Sequence, residues 1–226
     1  MDAIRTLLRQ NRGFLFLLLC FGLVRTAIAD YNPVPSASMH PSILEGDVVL
    51  VNRLAYNLKL PLTDVIVAQL ADPQRGDIVT FSSPQDGRRL IKRLIALPGD
   101  RVLMRDKQLT INGRALTYAP EGTVDDAIAG GHKVQAQRLL ETLDARAHGI
   151  QWLAGIRNAP DFGPIVIPAG QYLMLGDNRD DSADSRFIGL VPRELLIGRA
   201  ERILISANIT DRWQPRFERF GQSLYR

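Results

Sequence analysis

The sequence predicts a mainly β domain with little helix, held behind one apolar segment at its N-terminus. Three observations lead there. Gly-Asp pairs open two β-rich runs, at Gly46-Asp47 and Gly76-Asp77. Proline and glycine punctuation recurs at short intervals through the body of the chain, as it does between short strands. Before all of this, Phe14 to Val24 runs without a charge.

Composition sets the outer limits. The chain has 226 residues, 46% hydrophobic and 23% charged, which suits one well-cored globular domain and excludes wholesale disorder. A formal charge of +4 fits a protein near an anionic surface without demanding one. No basic stripe interleaved with aromatics argues for nucleic acid. The single cysteine, Cys20, lies in the apolar run, so neither an internal disulfide nor a cysteine zinc site is available. His40, His132 and His148 show no metal-ligand spacing, and no cofactor is expected.

The N-terminus offers two readings. Arg5, Arg9 and Arg12, then the apolar run, then Ala27-Ile28-Ala29 match a cleaved secretory signal with an A-x-A site. The same residues also match a retained membrane anchor over 13–29, with Arg25 snorkelling to the far interface. Either way residues 1–12 stay cytoplasmic and residues 30–226 lie outside, because basic residues remain on the inner side.

Strands are expected at Gly46–Arg53, Ile78–Phe81 and Leu90–Leu97. Arg101–Met104 and Leu109–Ile111 form a hairpin around Asp106-Lys107, followed by a tight turn at Asn112-Gly113. Residues 119–163 are polar and read as an insertion. Within it Leu139, Leu140 and Leu143 are spaced to suit one amphipathic helix over 133–148. Strand character returns at Ile165–Ile167, Gln171–Leu175 and Leu195–Ser206, and the basic, aromatic tail from Trp213 fits a membrane surface but is expected to pack on the domain.

Two stretches carry chemistry. In Arg89–Ala96, strand alternation puts Lys92 on one face with Leu90 and Leu94, and Arg93 on the other. A lysine among leucines loses hydration and its pKa falls, whereas a snorkelling lysine at a strand edge keeps its charge. Gly176–Arg186 is dense in carboxylates and hydroxyls, which suggests a solvated loop or a calcium loop, yet it lacks EF-hand spacing. Pro35–Ser42, framed by prolines, reads as an extended loop or strand entry.

These stretches together resemble the bacterial type I signal peptidases, membrane-bound Ser/Lys endopeptidases. The carrying residues are Pro35–Ser42, Gly46–Val51, Arg75–Val79, Lys92–Asp100 and Gly176–Arg186, about a quarter of the chain in the family's order. The resemblance implies a β-sheet, coiled-barrel catalytic domain with a small α-containing insertion, preceded by one transmembrane helix. It implies Ser38 as nucleophile and Lys92 as general base. Ser36 would help bind the oxyanion, and Ser182 would orient the lysine. Arg93 with Asp184 would form a structural ion pair joined by Arg186. Val34, Pro35, Met39, Ile43 and Ile91 match positions lining a substrate pocket for small residues. Asp181 stands where the family commonly has Asn, which adds charge beside Ser182.

The implied partners are preprotein signal peptides and the lipid bilayer of the inner membrane. The implied reaction is cleavage after the small residues of A-x-A sites, without cofactor. A specialised pilin-maturation peptidase of the same family is the nearest alternative. A self-cleaving repressor-type Ser/Lys protease would need a DNA-binding N-terminus in place of the apolar run. An inactive tethered binding module would have no use for Ser38, Lys92 and Ser182 together.

Overall fold

The computed structural model describes residues 9–63, 65–127, 133–156 and 160–225. Among them the fold is mainly β. Helix α1 (Arg12–Ala27) leads directly into β1 (Ala29–Pro33), which pairs with β2 (Asp47–Asn52). The helix is thus shorter than the 13–29 span expected, because Ala29 is already paired with Asn52. Among the described residues no helix is long and apolar enough to cross a membrane. Helix α1 nonetheless leaves Phe14, Phe16, Leu17, Leu19 and Phe21 more than half exposed. Arg25, at its C-terminal end, is turned back onto Asp30 at 3.1 Å and stacks over the Tyr31 ring.

After β2 come a hairpin of β3 (Asn57–Lys59) and β4 (Ile66–Gln69), then β5 (Ile78–Ser82) and β6 (Arg89–Ala96). The predicted hairpin follows as β7 (Arg101–Arg105) and β8 (Gln108–Ile111). Asp106 and Lys107 both take positive φ there, as a two-residue turn that matches strand twist requires. Asn112-Gly113 repeats the device before β9 (Arg114–Ala115).

The insertion corrects an expectation. Residues 133–148 form no helix; β10 (Thr117–Ala127), β11 (Lys133–Leu143) and β12 (Arg146–Leu153) make a three-stranded antiparallel sheet. Leu139, Glu141 and Leu143 alternate onto one face of β11, and the chain reverses at Asp144, which takes φ 54°. Pairing on both edges of β11 overrides the helical spacing of its leucines, since burial against Ile150 and Trp152 outweighs local propensity.

The remaining strands are β13 (Phe162–Val166), β14 (Gln171–Leu175), β15 (Val191–Pro192), β16 (Leu196–Asn208) and β17 (Gln214–Pro215). A short helix, α2 (Ser185–Ile188), follows the polar loop after β14. The largest sheet runs β1-β2-β16-β5-β6-β14-β15 with β17 on β16, and β13-β7-β8-β9 form a second. The tail packs through its end, while Trp213 and Phe217 stay 70% and 72% exposed. Leu224 lies against the core around Val49 and Ile203, and the Tyr225 hydroxyl accepts the Ile78 N–H at 2.9 Å.

Strand β6 is the hinge of the architecture. Leu94 joins the cluster of Val79, Phe81 and Met174, Ile91 joins that of Met39, Ile43 and Val49, and Ile95 joins that of Val102, Ile150 and Trp152. One strand thereby locks three apolar clusters together. A residue on β6 is rigidly held, which suits a group that must be aimed.

Candidate active site

Ser38 sits in a single 3-10 turn, Ala37–Met39, rather than in the extended segment expected from the flanking prolines. The turn is pinned from the loop after β14: Asn178 N–H donates to Ser38 O at 3.1 Å, and Asn178 Nδ2 donates to Ala37 O at 3.2 Å. These bonds satisfy backbone carbonyls that an extended chain would have offered to a neighbouring strand. Met39 anchors the turn in the core with no exposure.

Lys92 reaches this turn from β6. Its Nζ donates to Ser38 Oγ at 2.6 Å, and both residues are buried, Lys92 at 3% and Ser38 at 8% exposure. Burial strips the ammonium of water and lowers its pKa from 10.5 to about 8, although Asp184, Asp177 and Asp181 pull the other way. Desolvation therefore wins over three carboxylates. The balance leaves a lysine that loses its proton near physiological pH while hydrogen-bonded to a hydroxyl. Asp181 contributes to this field, as its place beside Ser182 suggests.

Arg93 points to the opposite face, as alternation requires, but its partner is not Asp184. It grips Asp177 at two points, Nε to Oδ1 at 2.8 Å and Nη2 to Oδ2 at 2.7 Å, and donates to Gly76 O at 2.9 Å. Burial would raise the Asp177 pKa, yet the Arg93 charge and hydrogen bonds hold it below the usual carboxylate value. Asp184 is occupied elsewhere. It caps α2, accepts from Gly176 N–H at 2.9 Å, and forms its own two-point pair with Arg186 at 2.8 and 2.7 Å. The expected three-residue network is thus two separate pairs.

Ser36 lies at the entrance, exposed, with its Oγ 3.4 Å from Ser38 Oγ. Ser182 Oγ is buried without a hydrogen-bond partner. It packs so closely over Gly176 that a Cβ there would collide with Ser182 and with the Ser38 carbonyl. Of the five residues matched to a substrate pocket, Val34, Met39, Ile43 and Ile91 are buried together in one cluster with Val49 and Val51, and Pro35 is exposed. The four form core packing beneath the Ser38 turn.

Several residues that build the site were not singled out from sequence. Asp177 and Asn178 were seen only as part of a polar loop, although two consecutive hydrogen-bonding residues directly after a buried strand are a usable signal. Glu141 and Arg179, both fully buried, pair at 2.7 and 2.6 Å and bolt the insertion sheet to the loop after β14. Burial would raise the Glu141 pKa, but Arg179 and His148 drive it well below the ordinary value. Nothing in the Leu139-Leu140-Glu141 run marks that glutamate as interior.

Comparisons with known proteins place the chain in a family. The family model described as signal peptidase, peptidase S26, matches residues 7–205. A signal peptidase I of Pseudomonas fluorescens is 35% identical over 213 residues, covering 88% of this chain and 73% of the relative. That of Pseudomonas aeruginosa strain PAO1 is 33% identical with the same coverage, and that of Rickettsia typhi 34% identical over 91% of this chain and 83% of the relative. A crystal structure of a signal peptidase I from Enterococcus faecalis V583 aligns with 57% of this chain and 97% of its own at 32% identity, with a TM-score of 0.37. With a family model spanning most of its length and relatives above 30% identity along nearly all of it, the chain belongs to the signal peptidases of peptidase family S26.

Proposed function

We propose that this protein is a membrane-anchored serine endopeptidase that removes signal peptides from exported preproteins, with Ser38 as nucleophile and Lys92 as general base. The observation that carries the reading is the 2.6 Å contact between Lys92 Nζ and Ser38 Oγ at a buried position that brings the lysine pKa to about 8.

The chemistry follows from that contact. Neutral Lys92 takes the proton of Ser38 Oγ as the oxygen attacks the scissile carbonyl carbon. The Ser38 N–H and the Ser36 hydroxyl stabilise the oxyanion. Lys92, now an ammonium, returns the proton to the leaving amine, and the mature chain departs. A water then gives its proton to Lys92 and attacks the acyl-enzyme, which releases the signal peptide and restores Ser38. Ser182, buried over Gly176 beside the Ser38 carbonyl, is the hydroxyl that would accept from Lys92 once the lysine turns from Ser38, while the Arg93–Asp177 and Asp184–Arg186 pairs keep β6 and the loop after β14 in place.

The anchor lies within residues 13–29 and is carried by α1, which ends at Ala27 before β1 begins at Ala29, with residues 1–12 cytoplasmic, residues 30–226 as the catalytic domain on the periplasmic side, and 119–163 as its insertion. Support comes from the apolar surface of α1, exposed around most of its girth, and from its arginine-rich start. The described helix has 16 residues, about 24 Å at 1.5 Å per residue, which falls short of a hydrocarbon core of about 30 Å, so this reading requires the bilayer to thin around it. The neighbouring β3–β4 hairpin exposes Leu60, Leu62, Val65 and Val67 and would lie against the same surface. Ser38 follows Ala29 by nine residues, which keeps it near the interface where a signal helix ends.

The test is incubation of the full-length protein in detergent or vesicles with a preprotein bearing an A-x-A site. Intact-mass analysis should find a single cut after the second small residue. Absence of that cut would count against the reading.

A further inference from the structure

His40 lies two residues beyond Ser38, and its side chain is buried against the insertion. Nδ1 is 2.9 Å from Asp126 Oδ2 at the far end of β10. The same Asp126 oxygen accepts a short hydrogen bond from Gln151 Nε2 on β12. Gln151 is itself built into the catalytic loop: its backbone N–H donates to Asp177 O, and its carbonyl accepts from Arg179 N–H, both at 2.9 Å. Nearby, Gly149 of β12 comes so close to Pro41 that a Cβ would stand 3.0 Å from the proline ring. Two strands of the insertion therefore abut the chain that carries Ser38.

From this we infer that His40 is a positioning residue, which through Asp126 uses the β10–β12 sheet to set where Ser38 Oγ stands relative to Lys92. The inference rests on the Ser38 reading above and goes beyond it, because it gives the insertion a part in the reaction. An Asp126 carboxylate accepts a hydrogen bond from Nδ1–H and so favours one tautomer and one ring orientation. A backbone turn of three residues has little stiffness of its own. Asn178 holds its carbonyls, and the His40–Asp126 link holds the residue that ends it. Loss of either restraint lets Oγ drift, and a displacement of about 1 Å at a reacting atom costs up to roughly 100-fold in rate.

The experiment compares steady-state cleavage of a peptide with an A-x-A site by the full chain and by His40→Ala, His40→Asn, Asp126→Ala and the double variant His40→Ala/Asp126→Ala, at a pH above 8. His40→Ala should lower kcat by roughly 10- to 100-fold with KM changed less than about twofold. His40→Asn, which keeps a donor near the place of Nδ1, should recover most of the loss. Asp126→Ala should match His40→Ala, and the double variant should be no worse than either, as for two members of one link. Should His40→Ala fail to fold, Asp126→Ala with its melting curve carries the test alone. A kcat within about twofold of the parent in His40→Ala or Asp126→Ala overturns the inference, as does a loss that falls wholly on KM. Ser38→Ala runs alongside: activity there would remove the Ser38 reading itself, a result distinct from full activity in the His40 variants.

Discussion

Arg93 and Asp177 meet in a two-point ion pair at 2.7 and 2.8 Å on the face of β6 opposite Lys92. Consecutive residues of one strand thus do two jobs, one aimed at Ser38 and the other at the Asp177 carboxylate in the loop after β14. The pair is almost wholly buried, so its rupture leaves a charge without water or partner. Asp177→Ala should cost about 3–5 kcal/mol of stability, read by urea unfolding of the detergent-solubilised protein. Arg93→Lys should not preserve it, since an ammonium cannot reproduce the guanidinium fork.

The pH dependence of cleavage should follow Lys92. Its pKa of about 8 means the neutral base is scarce at pH 6 and dominant at pH 9. The rate should therefore rise about tenfold per pH unit below the midpoint and level off above it, as measured by kcat/KM on a peptide substrate. A rate independent of pH from about 6 to 10 would contradict a titrating base.

The same shift makes Lys92 a burden on the fold. Unfolded, the lysine keeps its proton up to about 10.5; folded, it keeps it only to about 8. The unfolded state binds more protons between those values, so stability rises with pH across that window, and below pH 8 the full penalty is present. It amounts to roughly 3 kcal/mol. Lys92→Met should accordingly melt higher than the parent at pH 7, by roughly 5 °C or more, while it is inactive. Calorimetry at pH 7 and pH 10 checks both sign and window.

Gly176 has an ordinary backbone conformation, and its smallness matters through close approach. A side chain there would meet Ser182 and the carbonyl of Ser38 together. Gly176→Ala should displace both, with a loss of about 1–3 kcal/mol in stability and roughly 10- to 100-fold in kcat. Melting curves and peptide kinetics on one preparation separate the two effects.

How much of this was legible in the sequence depended on how local the determinant was. The Asp106-Lys107 and Asn112-Gly113 turns and the alternation of β6 are written in adjacent residues, and the structure follows them. That Lys92 and Arg93 face opposite ways came from strand parity, and that Lys92 is the one turned to Ser38 came from the family resemblance. The identity of the Arg93 partner did not, because Asp177 and Asp184 both sit in one polar loop and only the cap of α2 decides between them. The insertion was misread for a related reason. Leu139, Leu140 and Leu143 fit a helix in isolation, and only pairing on both sides of β11 and the hidden Glu141–Arg179 pair make it a strand. The Ser38 turn likewise depends on Asn178, which is 140 residues away in sequence.

The account stands or falls on the Ser38–Lys92 pair, and one measurement addresses it most directly. Cleavage of an A-x-A preprotein, followed by intact mass at pH 9, should be about 1,000-fold slower or worse for Ser38→Ala and for Lys92→Ala, each with a parent-like far-ultraviolet circular dichroism spectrum. Parent-like cleavage by either folded variant would contradict the assignment of nucleophile and base.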